Sequence, residues 1–414
     1  MLSAVSGHGP QFALPRPRCA VAALRKHDAW GAEHPPTSPL PVNSSPGFSE
    51  GSSFVSAGLV ATSVSDPGAA APAVGEGADR YPGTQSWREL VVPFARADVW
   101  RAVFELACTG LPFLALAAAL FFGLAHRFWI ALLLTPPAAI FLVRLFVIQH
   151  DCGHGSYFRA RWANNLLGRI IGVVTLTPYD SWRRDHAVHH ASAGNLARRG
   201  VGDIATLTTE EYLSRPAMRR LLYRLYRHPL VLFGIGPAIQ FLLVHRIPRG
   251  NPIRNREAWL STCGTNAALA SAATASVLLF GWRPLVIGYL PTCMLAGSIG
   301  MWLFYVQHQF ENTYWRADGE WNFEAAAFEG CSFYELPGVL RWLTGHIGFH
   351  HIHHLSIRIP SYRLRAAYEA IPAFRQARRL RLRESLACWR FALWDEGRSK
   401  LIRFAEAARR PRPS

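Results

Sequence analysis

Four stretches of this 414-residue sequence gather imidazoles at spacings that let them act together. "QHDCGH" carries His150 and His154, and "DHAVHH" carries His186, His189 and His190. "YVQHQFE" carries His308, and "HIGFHHIHHL" carries His346, His350, His351, His353 and His354. On a helix, residues three or four apart share a face, so HxxxH and HxxHH each aim two or three rings at one point. Neutral imidazole is the commonest protein metal ligand. These stretches hold 11 of the 17 histidines. One ion takes about four to six donors, so the set fits two ions sharing about eight to ten imidazoles. A closed structural zinc site is smaller and usually includes Cys. Ligand type alone leaves iron, zinc, copper and nickel open.

The last stretch can be resolved further as a helix turning 100° per residue. Relative to His346, His350 lies near about 40°, His353 near about −20° and His354 near about 80°, whereas His351 lies near about 140°. His350, His353 and His354 therefore form the ligand face, and His351 points away. His346 shares that face one turn earlier, as an additional ligand, a hydrogen-bonding neighbour of a ligand, or a proton carrier. Asp151, Asp185 and Glu311 stand beside or near these histidines. Ligating imidazoles usually donate their other N–H to a carboxylate or carbonyl, so orientation of the rings is their expected role, with ordinary solvated acids the alternative. Cys152, inside the first stretch, reads as a packing residue. The other histidines lie in the N-terminal tail (His8, His27, His34) or flank apolar segments (His126, His228, His245).

The elements that must position these rings are helices in a bilayer. Half of the residues are hydrophobic, and four apolar runs cover about 102–125, 129–148, 261–279 and 284–306. Each approaches the roughly 20 residues needed to span a membrane, where backbone groups must be satisfied internally. Two shorter stretches, about 164–178 and 229–244, are interrupted by Arg169 and by Gly234, Gly236 and Pro237; they read as interfacial or re-entrant helices. The fold class is all-α and integral to the membrane: four transmembrane helices as two hairpins, with a histidine-rich helical cap. The formal charge of +17 is almost wholly arginine, since Lys26 and Lys400 are the only lysines. The arginines fall between the apolar runs. That excludes a nucleic-acid-binding domain and places the boxes and both termini on the cytoplasmic side. An even number of spans separates the first two boxes from the last, so all of them share one face. Glu105 and Arg144 sit at similar depth near that face, and they are expected to reach separately for the headgroups rather than form a buried pair. Residues 1–85 read as disordered or as an over-extended reading frame, 86–404 as one ordered region, and 405–414 as a basic tail. The seven cysteines form no C-x-x-C pair and read as reduced structural thiols.

This set of boxes resembles the membrane fatty acid desaturase family. "HDCGH", "HAVHH" and "FHHIHH" occur in the expected order. Longer stretches, "LTPYDSWRRDHAVHHASAGNLARRGVGDIATLT", "FYVQHQFENTYW" and "LPGVLRWLTGHIGFHHIHHL", resemble the bacterial acyl-lipid, delta-12 or omega-6 branch. The resemblance covers about residues 87–403. It implies a non-haem di-iron enzyme that uses O2 and two electrons to remove two hydrogens from adjacent methylenes. The cis double bond would be formed on an acyl-lipid, acyl-CoA or acyl-ACP substrate. It implies His150, His154, His186, His189, His190, His350, His353 and His354 as iron ligands, with His308 matching the family's extra ligand. Two positions depart from the pattern: His346 stands where the family reads Asn, and Asn312 where it reads Asp. With no cytochrome b5-like domain or ferredoxin cysteine pattern, electrons are expected from a separate ferredoxin or cytochrome b5-like donor. The expected location is a bacterial inner membrane.

Two other classes compete. A hydroxylase or ketolase of lipid, alkane or carotenoid could use the same scaffold and metal set. A metal transporter would need ionisable groups along the membrane midplane. The third and fourth runs offer only Asn266 with scattered Ser, Thr and Cys.

Overall fold

The computed structural model describes residues 86–409. The expectations for residues 1–85, and for the basic tail beyond 409, lie outside the described residues. Asp98 accepts a bond from the Arg101 N–H at 2.9 Å and starts α1, Val99–Ala125. A 3₁₀ turn, Trp129–Leu134, leads into α2, Thr135–His154. This helix continues past the expected end of the apolar run at 148 and carries His150 and His154 on its last turns. It is followed by α3, Arg161–Val174, and by α4, Tyr179–Ser192, which carries the second box. Along α3 the apolar residues Trp162, Leu166 and Ile170 face outward, one per turn, while Asn164, Gly168 and Ile171 face the protein. A helix with that outward stripe suits an interfacial position.

Next come α5, Ala217–Tyr226, and a broken segment, Leu230–Arg246, bent by 59° from it and containing α6, Gly236–Leu242. The far end of this segment is tied down. Arg246 donates to the Asn266 side chain at 2.9 Å and to the Leu176 carbonyl at 2.5 Å, and Asn266 donates back to the Arg246 carbonyl at 2.8 Å. Asn266 lies on α7, Arg256–Phe280, so the lone amide of the third apolar run serves as an anchor. The last long helix, α8, Leu290–His308, follows a π-helical turn at Pro284–Tyr289 and ends on His308. Among the described residues, four segments are long and apolar enough to cross a membrane, Val99–Ala125, Trp129–His154, Arg256–Phe280 and Pro284–His308, and the bent pair Ala217–Tyr226 with Leu230–Arg246 would be a fifth if it counted as one span. α2 is the central one, packed against α1, α3 and α8, whereas α7 packs mainly on α3 and α4.

The cap that follows is less purely helical than expected. Between short helices at Gly338–Leu343 and Ser361–Ala370 lies a six-residue helix, His350–Leu355, with every residue buried. Among the described residues, five strands of two or three residues join distant parts of the chain. β1, Leu207–Thr208, pairs in parallel with β4, Leu393–Asp395, which pairs antiparallel with β5, Lys400–Ile402. β2, Phe333–Glu335, pairs in parallel with β3, Arg379–Arg381. Segments this short show no alternation from which a strand could be read.

The expectation for Glu105 and Arg144 is overturned. Both are buried and bonded directly to each other. Arg144 also donates to Thr109 Oγ1 at 2.8 Å and to the Trp342 carbonyl, and its guanidinium lies 4.0 Å from the Trp342 ring centre. Glu105 has Arg101 as a further partner at 2.6 Å. The carbonyl and ring come from the cap, about 200 residues away in sequence. A buried ion pair becomes tenable when its remaining donors are satisfied in this way.

Candidate metal centre

The last turns of α2, α4 and α8 converge on the helix His350–Leu355. Among the described residues, two groups place potential ligand atoms within 4.8 Å of one another. The first is His150, His154, His186, His190 and His353; the second is His308, Cys331, His350 and His354. Within the first, the Nε2 atoms of His150 and His154 are 3.3 Å apart, those of His186 and His190 3.1 Å, and those of His190 and His353 3.1 Å. In the second, His308 and His350 bring their Nε2 atoms to 2.9 Å. The groups adjoin: the rings of His190 and His354 stack with centres 4.1 Å apart.

These spacings can be compared with a coordination polyhedron. With a metal–nitrogen bond of about 2.1 Å, neighbouring ligand nitrogens are about 3.0 Å apart at a right angle and about 3.4 Å apart in a tetrahedron. Buried imidazole nitrogens without partners are costly unless a ligand satisfies them. His189 Nε2 and His354 Nε2 are buried without a hydrogen bond. Burial, followed by the neighbouring imidazoles, holds His186, His190, His350, His353 and His354 well below the usual histidine range. The rings are therefore neutral near pH 7, with lone pairs free to bind a cation. The residues fit a pair of metal ions.

The expected site residues separate into three sets. Eight of the nine expected ligands fall in the two groups. His189 falls in neither, although its ring centre is 4.8 Å from that of His308 and 5.1 Å from that of His354. Its Nδ1 is bonded to Asp203. Of the three acids, only Asp151 touches a box histidine: its carboxylate lies 3.5 Å from His150 Nδ1 and accepts the Ser361 N–H at 2.7 Å. Asp185 faces Arg249 at 3.5 Å, and Glu311 faces Lys400 at 2.8 Å.

His346 is placed away from both groups. Gly345 and His346 adopt left-handed φ values of 59° and 60°, ending the helix Gly338–Leu343, and the box helix begins only at His350. Gly348 lies between them, where a Cβ would fall 2.6 Å from the Tyr334 carbonyl oxygen. The projection of His346 onto the ligand face assumed a continuous helix, and that helix does not exist. Its ring instead lines a small cavity with Glu105, Arg144, Tyr157 and Tyr362. Burial, with Arg144 and Arg341 nearby, lowers its pKa to about 4. An unfolded chain would protonate this ring below about pH 6.5 while the folded one keeps it neutral, so stability is lost as pH falls from about 6.5 to 4. Asn tolerates the left-handed region better than most residues. His346→Asn should therefore flatten that acid-side loss relative to the parent chain, measured as thermal midpoint against pH. Parallel curves for the two proteins would refute the assignment.

His351 points away from the ligand groups, as the helical projection requires, and is buried among Phe328, Phe333, Tyr368 and Phe374. Two neighbours of the site escaped the sequence reading. Asp203 carries no spacing signal, because it reaches His189 through a loop. Cys331 Sγ lies 3.7 Å from His308 Nδ1. Cys331 is held there by Ser332, which donates to the Gln307 and Val306 carbonyls, both at 3.0 Å.

The sequence pattern of the family described as fatty acid desaturase matches residues 127–385. The chain is similar to a fatty acid desaturase of Bacillus subtilis (strain 168), 41% identical over 314 residues, covering 76% of this chain and 89% of that protein. It is also similar to the sn-1 oleoyl-lipid 12-desaturase of Synechocystis sp., 29% identical over 240 residues, covering 56% of this chain and 65% of that protein. A third relative is the sn-1 acyl-lipid omega-3 desaturase (ferredoxin) of the same organism, 29% identical over 237 residues, covering 55% and 63%.

Proposed function

Because this chain belongs to the fatty acid desaturase family, we propose that it inserts a cis double bond into a membrane-lipid acyl chain, at a delta-12 or omega-6 position, using O2 and two irons. The observation that supports this reading best is the convergence of two adjoining imidazole groups with Nε2 spacings near 3 Å. We assign His150, His154, His186, His190 and His353 to one iron. His308, His350 and His354, completed by His189, are assigned to the other. When bound, the irons supply the oxidising power to break unactivated C–H bonds, which no side chain can provide.

The protein's own contribution is placement and exclusion. Four elements hold the ligand rings, Trp182 stacks on His186 at 4.8 Å, and Phe304 packs against His189 and His308. These walls keep bulk water from the centre. The cluster sits at the ends of two apolar helices, so an acyl chain can approach from the bilayer without crossing water. Methylenes offer no polar handle, so position along the chain is set by how far the acyl tail can be drawn past the metals. Two hydrogens leave the substrate, and O2 with two further electrons and protons ends as water. The electrons come from a separate donor. The name of the Synechocystis omega-3 relative supports a ferredoxin. The arginine distribution supports four spans with the cap and both termini on the cytoplasmic side of a bacterial inner membrane.

Expression of the full chain in a host whose lipids lack the product, with mass-spectrometric mapping of double bonds, tests this reading. A new alkene toward the methyl end of an existing one is expected, with about two irons per purified chain. An alcohol or ketone product, or a single zinc per chain, would overturn it.

A further inference from the structure

His189 is held differently from the other box histidines. Its Nε2 is buried and unbonded, facing the rings of His308 and His354. Its Nδ1 is bonded to the Asp203 carboxylate, itself almost fully buried. That carboxylate reaches the ring from the loop after α4. Gly202, at φ 71°, makes the approach possible: a Cβ there would fall 3.1 Å from the His189 Cβ and 3.2 Å from the Asp185 carbonyl oxygen. The loop is fixed from its far side as well. Thr206 bonds to Gln309, the residue after His308, at 3.3 Å, and Arg227 donates to both the Ala205 carbonyl and the Gln309 side chain. Loop, His189 and His308 are thus tied into one unit.

We propose that Asp203 is the positioning residue of the second metal position, and of that position alone; the inference rests on the two-metal reading above. A carboxylate accepting the Nδ1–H fixes the tautomer in which Nε2 carries the lone pair. The other tautomer would place a proton where the metal should be. His308, His350 and His354 supply only three imidazoles, one short of a tetrahedral set. Cys331 does not fill the gap, because its sulfur lies beside Nδ1 of His308, whereas it is Nε2 that faces His350. The first group already has five imidazoles and does not depend on His189.

Metal binding to the purified full-length chain separates the possibilities. The parent protein should take up about two irons. Asp203→Ala should keep one tight site and bind the second ion about 10–100-fold more weakly, as loss of a carboxylate behind a ligating histidine does. Asp203→Asn retains an acceptor oxygen and should recover much of the lost affinity. The metal-free forms of all three should unfold within a few degrees of one another, since at most one buried hydrogen bond is lost. Two tight ions in Asp203→Ala would overturn the inference. So would equal weakening of both sites together with a midpoint of the metal-free protein lowered by more than those few degrees, because Asp203 would then act only through the fold. A parent protein that binds fewer than two ions would remove the two-metal reading and this inference with it.

Discussion

Replacing His350 with Ala should reduce double-bond formation to below about one-hundredth of the parent rate. Losing a group that merely orients a ligand already costs about 10–100-fold. His350 is buried, its Nε2 is 2.9 Å from that of His308, and its helix is held on all sides. The loss should therefore appear in activity and in iron per chain rather than in folding. His351→Phe is the control. The adjacent side chain is fully buried among aromatic rings, and a ring of similar size keeps that packing. Its activity should stay within a few-fold of the parent. Turnover retained in His350→Ala membranes would remove the ligand assignment.

Glu105→Leu should destabilise the protein by about 3–5 kcal/mol, the cost of leaving one partner of a buried pair uncompensated. Arg144 would keep Thr109 and the Trp342 carbonyl but lose its counter-charge. The double variant Glu105→Leu/Arg144→Leu should recover most of the loss, because replacing both members of a buried pair with apolar residues is often near neutral. Unfolding in detergent measures both. A single-variant cost below about 1 kcal/mol would match two charges reaching water independently, as expected from sequence alone.

The difference between that expectation and the structure shows what the sequence carries. Runs of apolar residues, and histidines spaced by three or four, are local patterns with a fixed helical period, so the long helices and the box faces could be read directly. Only the ends needed correction: α2 continues through its box because nothing between 148 and 154 breaks it. The partners of Arg144 could not be read, because Trp342 meets it through tertiary packing. Asp203 was equally silent, since a loop turned by a left-handed glycine has no period. His346 failed in the opposite way. Its spacing suited a helix, but Gly345 and Gly348 give the backbone a different path, and the Tyr334 N–H, donating to the Gly348 carbonyl at 2.8 Å, holds it there.

The distribution of the ligand set along the chain also bears on how the enzyme is made. His150 and His350 are 200 residues apart. At a synthesis rate of about 5–20 residues per second, the first box waits about 10–40 s for the last. During that interval the early helices can enter the bilayer with an incomplete nest of imidazoles. Such partial sites follow the general affinity order in which copper and zinc outrank ferrous iron. For the two irons proposed above, discrimination against copper and zinc would then rest on the geometry completed only when His350, His353 and His354 join the earlier rings.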